Sequence, residues 1–219
     1  MITYKDIRNN EDVKLLIARA DESLAALGYT DHSFGHVGLV ADRAGDILTA
    51  LGADPREVEL ARIAGYLHDI GNLVNRSEHS QSGAVMAFRI LDKLGMDMSE
   101  IATIVAAIGN HDEGTGVPVN SVAAALILSD KSDVRRSRVR NTDPATFDIH
   151  DRVNFSAVSS DLAIDPEARI VRLSLEIDTE ISPLMDYFEI FLGRMLLCRR
   201  AAESLGLVFK LTINKQNFI

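Results

Sequence analysis

Four histidines and two aspartates are the residues of this chain whose types and positions suit metal chemistry. They are His36, His68, Asp69, His79, His111 and Asp130. His68 and Asp69 stand side by side at the end of the apolar segment 60–67. Titratable groups that follow apolar residues into a core need a partner there. Imidazole and carboxylate both bind a metal ion when deprotonated, so a metal is the partner that we expect.

Each of these groups lies on the apolar side of a predicted helix. His36 shares a stripe with Val40 and Ile47, and His68 follows Ala64 by one turn. A single histidine on such a face is more often a core residue, and a single inward aspartate is more often a cap or an ion-pair partner. Six such groups buried without a metal would cost several kcal/mol each. We therefore interpret the set as one metal site.

The ligand types limit the identity of the metal. Nitrogen and carboxylate oxygen without thiolate favour iron or manganese, with zinc, nickel, cobalt or magnesium as alternatives. Six ligands are too many for one ion that keeps an open position. We therefore expect two divalent transition metal ions bridged by Asp69. Two metals about 3.5–4 Å apart can activate a water for in-line attack at phosphorus.

Helices must position these six groups. Apolar spacing and capping signals predict helices over residues 11–27, 31–51, 79–94, 97–108 and 120–133, and a further helix from Asp54 into the His68–Asp69 pair. Residues 70–78 and 114–118 are predicted loops. The fold class is mainly α, with an all-helical domain over residues 1–148.

The pattern changes in the C-terminal region, residues 149–219. Segments 153–163 and 169–178 alternate in the manner of strands, a long helix is predicted from Ser182 to Gly206, and 208–213 is a third strand. We expect a small α+β region with an antiparallel ββαβ sheet. The long helix is apolar over much of its surface, which favours a contact between two copies of the chain, as in a homodimer.

The spacing of His36, the His68–Asp69 pair and Asp130 resembles the H…HD…D signature of the HD-domain metal-dependent phosphohydrolases. Residues 67–71, Leu-His-Asp-Ile-Gly, are the most specific part, and the likeness covers residues 30–140. The resemblance implies a helical core and hydrolysis of phosphoester or phosphoanhydride bonds, with His68 and Asp69 as catalytic residues. His79 and His111 are similar to the extra histidines of the subset that binds a second metal.

Four further residues are candidates for contacts with the substrate. Lys131 and Arg135 open a basic run directly after the last predicted ligand, and their charge would offset that of a phosphate. His32 lies one turn before the first metal-binding histidine, and Asn72 stands where many relatives have lysine. The alternative for the basic run is a solvated face of the protein. The alternative for His32 is an ordinary polar residue in the first turn of a helix.

Composition restricts the class of protein. The net charge is −9 and the sequence pI is about 5.1, which argues against binding of long nucleic acid. The sequence contains no apolar run that is long enough to predict a membrane span. Its first residues lack a signal-peptide pattern, and Cys198 is the single cysteine. We expect a cytoplasmic enzyme that hydrolyses a nucleotide or another small phosphate ester or anhydride through a metal-activated hydroxide. The alternatives are an HD-type di-iron oxygenase and a non-catalytic nucleotide-binding sensor or scaffold.

Overall fold

The computed structural model describes residues 1–219 and confirms the mainly α fold class. Its helices are α1 Tyr4–Asn9, α2 Glu11–Ala26, α3 Phe34–Ala50, α4 Pro55–Leu67, α5 His79–Lys93, α6 Met98–Gly109, α7 Ser121–Lys131, α8 Ile149–Ser156 and α9 Leu184–Ser204. Short 3₁₀ helices cover Ile70–Leu73, Arg136–Arg138 and Pro144–Thr146. None of the helices combines the length and the apolar character that crossing a lipid bilayer requires.

The six helices predicted between residues 11 and 133 all form, and side-chain caps mark where several of them begin. The carboxylate of Asp54 accepts a hydrogen bond from the amide of Arg56 at 2.7 Å, with Pro55 as the first helical residue of α4. Ser33 caps α3 in the same way, so that helix begins at Phe34 rather than near residue 31. Polar caps satisfy amides that the first turn of a helix leaves without partners.

The central helices pack tightly against one another. A β-carbon on Gly65 of α4 would lie 2.7 Å from the α-carbon of Ala41 on α3, so these backbones pack directly together. Helix α7 is buried on every side, between α3, α4, α6 and α9. A helix that is apolar all round belongs in the interior. Polar residues at the end of α7 are therefore carried into the core.

The C-terminal region differs from its prediction in two respects. The strands are β1 Ala157–Asp165, β2 Ile170–Ile177, β3 Val208–Ile213 and β4 Gln216–Asn217, in that order across the sheet. The prediction of an antiparallel sheet was wrong for β2 and β3, which are parallel because α9 crosses between them. The prediction of a strand from residue 153 was also wrong, because Asp148 caps a helix over 149–156. Neither α1 nor β4 was predicted.

One hydrophobic core joins the helical part to the C-terminal region. It includes Leu126 of α7, Phe191 of α9 and Leu173 of β2 in a single cluster of buried side chains. A division of the chain at residues 148 and 149 stays a prediction.

Candidate metal centre

Five segments bring the six predicted ligands to one place in the core. His36 lies in the first turn of α3, His68 and Asp69 end α4, His79 begins α5, His111 follows α6, and Asp130 lies in the last turn of α7. None of the six residues is more than 8% exposed. The 3₁₀ helix after Asp69 packs closely on α5, since a β-carbon on Gly71 would overlap the carbonyl oxygen of His79.

One half of the cluster is formed by His36, His68, Asp69 and Asp130. The Nε2 atom of His68 lies 3.0 Å from Oδ2 of Asp69. The Nε2 atom of His36 lies 3.5 Å from that same oxygen and 3.4 Å from Oδ1 of Asp130. Ligand atoms of His36, His68 and Asp130 all lie within 4.8 Å of one another, a spacing that one metal ion can bridge.

The other part of the cluster contains His79, His111 and the second oxygen of Asp69, and His111 also has a ligand atom within 4.8 Å of those of His68 and Asp69. The Nε2 atoms of the two histidines lie 3.2 Å apart, and Nε2 of His79 lies 3.6 Å from Oδ1 of Asp69. Asp69 thus directs Oδ2 towards one half of the cluster and Oδ1 towards the other. This is the arrangement that a carboxylate between two ions requires.

Hydrogen bonds at the far side of each ring leave the inner nitrogens free. Each Nδ1–H can donate to an oxygen at 2.6–3.1 Å: a carboxylate oxygen of Asp133 for His36, and the carbonyl oxygens of Gly65 for His68, Arg76 for His79 and Ile108 for His111. A neutral ring that keeps its proton on Nδ1 carries a lone pair on Nε2, and a protonated ring gains this lone pair when a metal displaces its Nε2 proton. The Nε2 atoms of His36 and His68 are buried without any hydrogen-bond partner. The donor set therefore fits a metal.

The charges of the cluster also favour a cation. Burial lowers the pKa of His68, but Asp69 and Asp130 outweigh it and raise this pKa from its ordinary range to about 10. Burial lowers the pKa values of His79 and His111, so both rings are neutral at pH 7. Two neutral rings that point lone pairs at each other across 3.2 Å repel unless a cation lies between them.

A cavity of about 500 Å³ opens beside the cluster. Asp69, His79 and Asp130 line its metal side. Another part of it is lined by Asp148 and, from the C-terminal region, by His150, Asp151, Asn154, Ile190, Phe191 and Arg194. Pockets that bind small molecules commonly have volumes in this range.

A comparison with known protein families identifies the family of this chain. The model of the HD domain family matches residues 33–174, well over half of the chain. The chain belongs to the HD domain family. All six clustered residues fall within the matched range.

Two relatives of this HD domain are similar over part of their length. The uncharacterized protein MJ1020 of Methanocaldococcus jannaschii is 26% identical over 160 residues, which cover 63% of this chain and 61% of that protein. The chain thus spans about three fifths of the length of this curated relative. A solved structure, a predicted HD superfamily hydrolase from an uncultured Thermotogales bacterium, shows 23% identity and a TM-score of 0.46. The match covers 57% of this chain and 67% of that one.

The metal centre of this HD domain has a second layer that sequence reasoning missed. Asp133 is fully buried and accepts from Nδ1 of His36 at 2.8 Å. It also accepts from Arg135 at 2.9 Å and lies 3.7 Å from the guanidinium of Arg138. Burial raises the pKa of Asp133, but its bonds to His36 and Arg135 hold it well below its usual range. Its position three residues after Asp130 was the available signal, since the two side chains would share a face of the predicted helix 120–133. In the structure α7 ends at Lys131, and Asp133 follows it.

A charged chain of residues leads from the metal centre to α9. The Nζ atom of Lys131 lies 2.8 Å from Oδ2 of Asp130 and 2.6 Å from Oε2 of Glu113. Arg194 of α9 donates from Nε to Oε1 of Glu113 at 2.7 Å. Burial raises the pKa of Glu113, but Lys131 and Arg194 outweigh it and hold this pKa far below its ordinary value. Neither Glu113 nor Arg194 was among the predicted site residues.

The four predicted substrate contacts lie in different places. His32 lines the cavity, and its Nε2 lies 4.0 Å from Oδ2 of Asp69. Asn72 donates to Oδ1 of Asp69 at 2.9 Å and so orients that carboxylate. Lys131 lines the cavity but is held by two carboxylates. Arg135 does not line the cavity, because its guanidinium bonds Asp133 behind the metal centre. Their roles in substrate binding stay predictions.

Proposed function

We propose that this HD domain is a metal-dependent hydrolase of phosphate ester or anhydride bonds, with a nucleotide or another small phosphorylated compound as its substrate. One observation carries the proposal: the two oxygens of Asp69 face two separate groups of ligands. His36, His68, Asp69 and Asp130 would hold one ion, and Asp69, His79 and His111 would hold the other.

The residues of the chain have distinct tasks in this proposal. Bound divalent ions supply Lewis acidity and lower the pKa of water. His68 and Asp69, next to each other at the end of α4, orient the reacting groups because they belong to the centre of the cluster. Asn72 fixes the carboxylate of Asp69 through its 2.9 Å hydrogen bond. The 500 Å³ cavity orients the substrate and limits the water around it.

Metal analysis combined with a phosphate-release screen tests this function. Protein purified without chelator should contain about two metals per chain, and His79→Ala and His111→Ala should each reduce this towards one. Iron- or manganese-loaded protein should release phosphate from nucleotides or sugar phosphates. Asp69→Asn should abolish the release, whereas Asp92→Asn, an exposed change on α5, should not.

Three results would contradict parts of the proposal. One metal in the wild type and in both histidine variants would exclude the second ion. Consumption of O₂ coupled to substrate cleavage would indicate the oxygenase. Tight nucleotide binding without turnover under every metal would indicate a sensor or scaffold.

We also propose that the chain forms a homodimer through α9. Met185, Leu192 and Leu196 lie on one face of this helix and are 74%, 50% and 41% exposed. Analytical ultracentrifugation of the wild type beside Leu192→Glu tests the contact, and a monomeric wild type would exclude it.

A further inference from the structure

The cavity beside the metal centre is lined by four cationic side chains, Arg76, Lys131, Arg138 and Arg194. Three of them already face carboxylates. Lys131 lies between Asp130 and Glu113. Arg194 bonds the same Glu113, and Arg138 lies 3.7 Å from Asp133 and is only 5% exposed. The positive charges of these three side chains are therefore already paired with carboxylates of the protein.

Arg76 is the cation of this set that has no carboxylate partner within 4.0 Å. It is half-buried, in the segment between the 3₁₀ helix and α5. One guanidinium nitrogen donates to Oδ1 of Asn72 at 3.3 Å, and the guanidinium carbon lies 5.8 Å from the ring centre of Tyr29. Both partners are neutral. A guanidinium has five N–H donors, so most of them remain available.

The position of Arg76 connects it to both halves of the metal centre. Its side chain bonds Asn72, which in turn bonds Oδ1 of Asp69. Its backbone carbonyl accepts from Nδ1 of His79 at 3.1 Å. The guanidinium is thereby held over the cavity, close to the carboxylate that faces both groups of ligands.

We propose that Arg76 binds the phosphoryl group of the substrate directly, through two N–H donors on non-bridging oxygens. This assignment rests on the proposed phosphohydrolase function. The planar fork of arginine matches the oxygens of a phosphate, and charge-assisted bonds of this kind are about twice as strong as neutral ones. Arg76 rather than Lys131 or Arg135 is assigned this contact, because it can bind an anion without first releasing a carboxylate.

Calorimetric titration of the manganese-loaded protein with inorganic phosphate tests the assignment. Arg76→Gln should raise the Kd for phosphate about 10- to 100-fold, because the charge and the fork are both lost. Arg76→Lys should give an intermediate Kd, since it keeps the charge but not the fork. Arg89→Gln, an exposed arginine of α5, should bind phosphate as the wild type does. Metal content is measured for every protein.

The outcomes separate the two proposals. Arg76→Gln that binds phosphate with wild-type affinity overturns the role of Arg76 and leaves the phosphohydrolase intact. Loss of metal together with loss of phosphate binding in this variant also overturns it, since Arg76 would then act through the metal centre. Metal-loaded wild type that neither binds nor releases phosphate contradicts the proposed function, and the assignment of Arg76 falls with it.

Discussion

Replacement of Asp133 by asparagine is expected to weaken metal binding although Asp133 is not a predicted ligand. The carboxylate is fully buried and lies 2.8 Å from Nδ1 of His36. Asparagine keeps the shape and one acceptor but removes the charge. A hydrogen bond to a charged group contributes about 1.5–3 kcal/mol, and partners of metal-binding histidines typically account for about 10- to 100-fold in affinity. We therefore expect Asp133→Asn to raise the Kd for Mn²⁺ by about this factor.

Competition with a fluorescent chelator at constant pH measures this Kd, with Asp92→Asn as the matched control at an exposed position. Circular dichroism establishes that both variants are folded, which matters because Asp133 also faces the buried guanidinium of Arg138. A folded Asp133→Asn protein with the Kd of the wild type would refute the reasoning. It would mean that the packing of α3 alone orients His36.

Three further results are expected. Metal binding at pH 7 should release at least one proton, because the pKa of His68 is raised to about 10 and that of His36 is raised as well. The Kd for the metal should therefore fall as the pH rises, and titrations in two buffers of different ionisation enthalpy count the protons. Glu113→Gln should lower the unfolding free energy of chelator-treated protein in urea by about 1.5–3 kcal/mol, because Lys131 loses one charged partner and keeps Asp130. Gly71→Ala should cost about 1–3 kcal/mol and reduce metal content, because the new methyl group displaces His79; unchanged thermal melting would contradict it.

The ligand-bearing helices could be predicted because apolar periodicity and polar caps are local properties of the sequence. The apolar residues of α7, which place Asp130 in the core, can be recognised in the sequence without knowledge of the helices that surround α7. Helix α8 was missed because residues 153–156 continue the pattern of β1, and only the cap at Asp148 distinguishes them. The parallel pairing of β2 with β3 depends on how α9 packs, which no local pattern encodes.

The charged residues around the site show a second limit. A basic run after Asp130 marked Lys131 and Arg135 as candidates, yet the number of arginines in a segment does not reveal which of them stay unpaired. Arg194 meets Glu113 across 81 residues of sequence, and Arg135 turns to Asp133 instead of the cavity. Whether a charged side chain is free to bind a ligand depends on its contacts in the folded chain.

Part of the cavity wall comes from a different stretch of the chain than the metal side, whereas residues 27–30, His32 and Arg76 complete the wall from the first half of the chain. Every predicted ligand precedes residue 131, whereas Asp148, His150, Asp151, Asn154, Ile190, Phe191 and Arg194 belong to α8, to its cap or to α9. One side of the cavity is thus supplied by the stretch of chain that follows the predicted ligands. Substitutions among Asp148, His150, Asp151, Asn154, Ile190 and Phe191 are expected to change which compounds the cavity accepts while the predicted metal ligands stay as they are.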